Sequence, residues 1–341
     1  MGLFRRRSAS GSASEGVREF WQWWPGARDD LARGGGDPET EATQELSRRV
    51  ARIHDDLSWE ISVPEGGRYA LTLSGDGRDD LRAITERWVR AAPDDDAWEF
   101  RPALAADPDA LDSLFRLDEH ELELSHVALG VRVDTRQARV NVTVYHPDFL
   151  FLPEEAQAVT ARRALALALG EDEVSRWIGD VTPVEDKPVD ALGLSALPAV
   201  TRQLAETRGA ADWLSGEART PRGRPAVVKV RFPLRHVDHP LCDTHVVVSV
   251  PYANANPDRL PVDPSASALH EFEARLADLG AGAMLAAHET GDDHRVFHVY
   301  ADSESGVLGL IDQIAASWQE GKVRVVTRPD PEWAALGPYR L

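Results

Sequence analysis

The chain of 341 residues carries 38 Lys+Arg against 57 Asp+Glu, a formal net charge of −19, with one Cys and ten Trp. A single Cys excludes an internal disulfide, a zinc ribbon and a C-x-x-C redox pair, and it points to a reducing, cytoplasmic compartment. The acidity disfavours nucleic acid and anionic lipid as partners, and no stretch approaches the roughly 18 apolar residues of a membrane span.

Residues 1–14 read as a disordered basic tail. Arg5, Arg6 and Arg7 are followed by a Ser/Ala/Gly tract rather than the apolar run of a secretion signal, and Arg6 stands where N-myristoylation wants Ser or Thr. Phe20, Trp21, Trp23 and Trp24 fall within five residues and would occupy more than one helix face, so they read as an anchor inserted between other elements. Leu46, Val50 and Ile53 have helical spacing. Leu57–Val63 and Tyr69–Leu73 alternate as strands about a turn at Glu65-Gly66-Gly67. Leu81, Ile84, Trp88 and Ala91 mark an amphipathic helix ended by Pro93, and Trp98 and Phe100 a further strand.

Strands over 126–133 and 138–146 come next, then a helix opened by Pro153-Glu154-Glu155. Leu194–Arg208 reads as a bridging helix. Gly209–Gly223 is rich in breakers and reads as the interdomain boundary. Beyond it come strands at Ala226–Phe232 and His245–Val250, and a helix capped by Asp263 with Leu269, Phe272 and Leu276 on one face. Two strands flanking a loop at Glu289–Asp293 follow, then a helix capped by Ser303 and a last strand at Lys322–Thr327.

The fold class expected is α+β, with two domains of the α/β-sandwich type. They comprise an N-terminal domain over 15–186, a connector with the bridging helix over 187–221, and a C-terminal domain over 222–341. The C-terminal order, β-α-β-β-α-β preceded by an extra strand, is that of the ferredoxin-like split arrangement.

The entry into that domain at Gly223-Arg224-Pro225-Ala226, its element order and its ending Asp330-Pro331-Glu332-Trp333 resemble the domain of unknown function 695 family, over roughly Ala210–Leu341. Segments similar to Phe20-Trp21-Gln22-Trp23-Trp24 and Leu169-Gly170-Glu171 occur in uncharacterised bacterial proteins, so the whole chain resembles two-domain bacterial proteins of this kind. The resemblance implies a fold and no catalytic residues. Ferredoxin-like domains of this general type resemble a regulator that inhibits ribonuclease E by binding it, which favours protein binding by analogy of fold alone.

The motifs of chemistry are incomplete. Gly75-Asp76-Gly77 lacks a third glycine and runs into Asp79 and Asp80, which repel phosphate. Gly193-Leu194-Ser195-Ala196-Leu197 lacks the second glycine of a nucleophile elbow. His236, Asp238, His239, Cys242, Asp243 and His245 are types that bind divalent metals, but their spacing fits no standard site, and a solvated loop around Pro240 accounts for them. On alternating strands, His294, His298 and Tyr300 share one face, to which His245 and Ser249 of a neighbouring strand contribute. If the helices cover the Phe297 face, this second face is open or meets the first domain. It is the candidate interaction surface.

The expected function is a non-enzymatic protein-binding or regulatory module with no cofactor, an unidentified protein partner, and ionisable groups spread over wet surface. The alternative is a metal-assisted hydrolase using the His236–His245 segment.

Overall fold

The computed structural model describes residues 9–62, 67–112, 114–117, 120–208 and 212–339. Residues 1–8 of the basic tail and the turn expected at Glu65-Gly66 lie outside this set. The chain mixes helix and strand in several sheets, an α+β composition. It divides into two compact units, Met1–Arg208 and Gly209–Leu341.

In the first unit, helix α1 (Ala9–Gly34) begins inside the segment expected to be disordered to Ser14 and carries the aromatic cluster as part of a long helix. Phe20 and Trp24 are buried, and Trp21 stacks on Trp88 with 5.0 Å between ring centroids. Helix α2 (Glu41–Ile53) is entered through Thr40, whose side chain accepts the Thr43 amide and so satisfies one otherwise unpaired donor of the first turn. Strands β1 (Ser58–Ser62) and β2 (Tyr69–Ser74) are antiparallel; helix α3 (Arg82–Arg90) crosses over to β3 (Trp98–Arg101), which lies parallel to β2. Leu46, Leu71, Trp88 and Trp98 join Phe20 and Trp24 in the core these elements enclose.

A second core of the same unit takes in Leu111 and the antiparallel pair β4 (Leu114–Leu117) and β5 (His120–Glu123), from which Leu122 is buried. Strands β6 (Ala128–Asp134) and β7 (Arg139–Tyr145) precede helices α4 (Glu154–Leu169) and α5 (Glu171–Trp177). Strands β8 (Ile178–Val184) and β9 (Leu192–Gly193) then complete a sheet of order β8-β7-β6-β9, followed by helix α6 (Leu197–Arg208). Val140, Val142 and Val144 face Ala161, Leu165 and Leu197. Strand β8 contains Gly179 and Pro183, which read as breakers in sequence. Gly170, between α4 and α5, has φ +81°, and a Cβ there would lie 3.1 Å from the Ala106 nitrogen and 3.2 Å from the Leu104 carbonyl oxygen. This close approach lets Glu171 accept hydrogen bonds from Ser74 Oγ at 2.6 Å and the Leu104 amide at 2.8 Å. Burial nevertheless pushes its carboxyl up from the ordinary range.

The second unit runs β10 (Asp212–Arg219), β11 (Pro225–Phe232), β12 (Thr244–Pro251), α7 (Ser265–Ala277), β13 (Ala283–Gly291), β14 (His294–Ala301), α8 (Val307–Ala316) and β15 (Arg324–Pro329). The strands form one six-stranded sheet of order β10-β11-β13-β14-β12-β15, antiparallel at every junction. Val246, Val248, Phe297 and Val299 pack against Leu269, Phe272, Ile311 and Ile314 of the two helices. Each such side chain contributes about 1.5–3 kcal/mol on full burial.

Three expectations are corrected. The division between Arg208 and Gly209 falls at the start of the stretch expected as boundary, and β10, expected as part of the connector, belongs to the second unit, where it pairs with β11 along its whole length. Its sequence, Asp212-Trp213-Leu214-Ser215-Gly216-Glu217-Ala218-Arg219, is that of an exposed edge strand and has no alternating apolar set. The loop at 289–293 shrinks to a two-residue turn, Asp292 and Asp293, with φ of 50° and 66°, the positive pair that matches the right-handed twist of a hairpin. Helix α8 starts at Val307, three residues beyond the turn in which Ser303 lies.

Candidate functional site

Antiparallel register brings the polar residues of four strands together. Tyr300 of β14 is paired with His245 of β12, and His245 is paired on its other side with Arg328 of β15. His298, two residues before Tyr300, shares their face. His245 Nε2 lies 3.0 Å from His298 Nδ1, with the rings within 9° of parallel. His298 Nε2 lies 3.0 Å from the Tyr339 hydroxyl, which donates to Glu289 of β13. On the far side, Arg328 Nε and Nη2 each lie 3.4 Å from His245 Nδ1.

These partners order the protons. Arg328 has only N–H groups to offer, so His245 Nδ1 accepts and its Nε2–H donates to His298 Nδ1. His298 Nε2–H then donates to Tyr339, whose own O–H goes to the Glu289 carboxylate. The chain runs in one direction, Arg328 to His245 to His298 to Tyr339 to Glu289, with both imidazoles neutral and every ring nitrogen used. Burial is the leading reason that His245 titrates low, at about 4, and His298 and Arg328 beside it act the same way. Burial lowers His298 as well. Burial also holds the Tyr339 phenol far above its ordinary range, and the adjoining Glu289 carboxylate adds to that.

A C-terminal 3-10 turn, Ala334–Tyr339, covers this end of the sheet. Trp333 and Leu336 enter a second core with Val230, Met284, Ala286, Ala287 and Tyr300. Asp330 anchors the entry to the turn, accepting from the Tyr300 hydroxyl and from the amides of Ala334 and Ala335 at 2.8 and 3.0 Å. Burial opposes its charge, but these three donors outweigh burial and keep its carboxyl below the usual range.

The expected interaction surface is therefore only partly what forms. His245, His298 and Tyr300 converge. Ser249 lies further along β12, half-buried and paired with Val296 and Arg324, and His294 is exposed beside the hairpin turn, its Nδ1 3.2 Å from the Asp292 carbonyl oxygen. The face is neither fully open nor a set of scattered wet groups, since His245 is 0% exposed and Tyr339 of the C-terminal turn bonds to His298 and Glu289. Glu289, Arg328, Asp330 and Tyr339 are the members that sequence reasoning missed. The only available signal was Asp330-Pro331-Glu332-Trp333, whose role is structural.

The metal candidates do not converge. His236 and His239 pack against the Trp333 ring at 5.6 and 6.3 Å. Cys242 is buried with its carbonyl on the Trp333 indole, Asp243 accepts from Thr244 and Ser303, and His245 belongs to the chain above. Asp238 is exposed. Among the described residues no three or more His, Cys, Asp or Glu side chains gather to hold a metal ion. The 3-10 turn His236–Asp238 and the start of β12 send these six side chains to different neighbours.

A different ionic group lies on the helix-covered face. Glu273 of α7 takes Arg295 Nη1 at 3.1 Å and stands 3.5 Å from His288 Nε2, with His288 1% exposed. It pins α7 to β13 and β14.

Residues 220–336 match the model of a family of unknown function (DUF695), about a third of the chain. The C-terminal resemblance read from Gly223–Ala226 and Asp330–Trp333 is thus shown. No curated protein and no solved structure matches the chain. No helix among the described residues is long and apolar enough to cross a membrane.

Proposed function

We propose that the C-terminal unit is a non-enzymatic protein-binding module of ferredoxin-like arrangement, acting in the cytoplasm, and that it binds an extended acidic segment along β15. The ferredoxin-like reading rests on strand order: β13-β14-β12-β15 with α7 and α8 as the crossovers, extended at the β13 side by β11 and β10. The binding reading rests on one observation, a cationic edge strand on an anionic chain. From Gly321 to Pro329 the sequence holds Lys322, Arg324 and Arg328 and no acidic residue, although the whole chain carries −19.

β15 is a terminal strand of the sheet, with five of its six residues exposed. Among the described residues its outer backbone edge pairs with no further strand, so it offers donors and acceptors to an added strand, and alternate side chains set which strand is admitted. Arg324, Val326 and Arg328 share one face, so the matching partner alternates carboxylate, apolar and carboxylate. The opposite edge, β10, mixes Asp212, Glu217 and Arg219 and carries no such sign. The hydrogen-bond chain behind β15 supports a binding role over a catalytic one, because no ring nitrogen in it is left for a substrate proton.

The test is selection of random peptides on the full chain at pH 7.5, with an Arg324→Glu/Arg328→Glu variant as counter-target. Extended acidic peptides that bind the wild type and not the variant support the reading. Peptides that bind both alike, or no enrichment, overturn it.

A further inference from the structure

The proton order of the chain bears on how this edge is regulated, and the inference rests on the β15 reading above. We propose that the His245–His298 pair is a proton switch for the β15 edge: one proton taken up by the pair detaches Arg328 from His245 and places a positive charge behind the strand, so that an acidic segment binds more tightly in acid than at neutral pH.

The geometry leaves an added proton no comfortable position. On His245 Nδ1 it faces the Arg328 N–H groups at 3.4 Å. On His298 Nδ1 it faces the His245 Nε2–H across 3.0 Å. If His245 then moves its own proton to Nδ1 so that Nε2 can accept, that proton again faces Arg328. At the other end the His298 Nε2–H and the Tyr339 O–H already point toward Glu289, and an added proton leaves those bonds in place. The contact that fails in every arrangement retaining the His–His bond is the one to Arg328, which lies at the exposed edge with room to swing away.

The groups facing the pair are few. His245 is faced by His298 and Tyr300 of β14, by Arg328 of β15, and by Asp330 at the start of the C-terminal turn. His298 is faced by His245 of β12, Glu289 of β13 and Tyr339 of the turn, with His288 on the opposite side of the sheet. Asp330 and Glu289 favour the extra proton while Arg328 and burial oppose it. A carboxylate bound beside Arg328 would draw that cation outward and relieve the opposition. Binding and protonation are then coupled in both directions, each strengthening the other by the same factor.

The experiment uses the full chain and a blocked peptide of sequence Thr-Asp-Thr-Val-Thr-Asp-Thr, whose carboxylates stay ionised at pH 5.0. Affinity is measured at pH 7.5 and 5.0 for the wild type and for His298→Gln, which keeps a donor and an acceptor but does not titrate. The wild type is expected to gain more affinity on acidification than the variant, and the full coupling factor, about fivefold at the lower end of the ordinary range, is approached only as pH falls through the pair's low titration point. Equal gains in the two proteins overturn the switch while leaving the edge reading intact; no binding of the peptide to either at both pH values counts against both.

A second measurement needs no variant to fold and no peptide. Ring ¹⁵N shifts of the wild type at pH 7.5 should show both His245 and His298 as Nε2–H tautomers, and the pair should take up its first proton with loss of the Arg328 Nε contact. An Nδ1–H tautomer for either ring, or an Arg328 signal that is unmoved through the titration, overturns the proposal.

Discussion

Trp333 donates its indole N–H to the carbonyl of Cys242 at 2.7 Å from a backbone whose φ is 56°. A bulky residue in the left-handed region costs on the order of 1–3 kcal/mol and persists only where its surroundings over-determine it. Here they do: Trp333 is 2% exposed, its ring lies 4.5 Å from the Tyr300 ring, and it shares a core with Met284, Ala286 and Ala287.

Removing that side chain should unseat the C-terminal turn. Trp333→Ala is expected to cost about 3–5 kcal/mol as a large-to-small core change. Trp333→Phe keeps most of the burial and forfeits the indole hydrogen bond, a loss of about 1 kcal/mol with some volume besides. Urea unfolding of both variants checks this, and a loss below about 1 kcal/mol for the alanine variant would show that the turn is not part of the core.

Stability should fall on mild acidification. His245 titrates at about 4 in the folded chain against about 6.5 when unfolded. Between those values the unfolded chain holds more protons, so stability rises with pH through the window and is lost as pH drops through it. Burial gives His298, His288 and His239 the same sign. The depressed carboxyls of Asp330 and Glu273 act separately, below about pH 4. Urea midpoints at pH 6.5 and 4.5 should therefore differ, at up to about 1.4 kcal/mol per unit of pKa displacement, and the drop should shrink in His298→Gln. A flat profile across the window would contradict the buried neutral pair.

Gly170→Ala should destabilise the first unit by about 1–3 kcal/mol, since a side chain there meets both a strained φ and the backbone of Leu104 to Ala106. Gly216→Ala is the control. Nothing lies within 4 Å of the added methyl and the backbone is ordinary strand, so its effect should lie within about half a kcal/mol of zero or be slightly stabilising. Thermal unfolding followed by Trp fluorescence separates the two variants.

Glu273→Ala should cost about 3 kcal/mol, the lower end of the range for breaking a buried ion pair, because Arg295 is then left desolvated without its carboxylate. The side chains of Arg295 and Glu273 are 14% and 16% exposed. Replacing both, as Glu273→Leu with Arg295→Met, should recover most of that loss, since two apolar groups need no pairing. A double variant as unstable as the single one would mean that the pair contributes net stability beyond mutual neutralisation.

Local signals placed most elements of the second unit. Alternation in His245–Val250 and His294–Ala301 and the helical stripe of Leu269, Phe272 and Leu276 are properties of neighbouring residues, readable without knowing what they pack against. The same holds for the burial of Phe297 opposite a polar face carrying His298. Strands β8 and β10 escaped because an edge or breaker-containing strand is held by its partner's hydrogen bonds, and its own side chains show no period.

Sequence alone thus determined the α+β class, the alternation that sets Phe297 and His298 on opposite faces of the C-terminal sheet, and the placing of His245, His298 and Tyr300 on one of them. Only the tertiary structure decided that His245 and His298 share one hydrogen bond, that Arg328 and Glu289 terminate the chain they form, and that Trp333–Tyr339 folds back over them. Period and propensity act over a few residues, whereas each of those contacts joins segments 30 to 91 residues apart. Their existence depends on strand order and register, which no local pattern encodes.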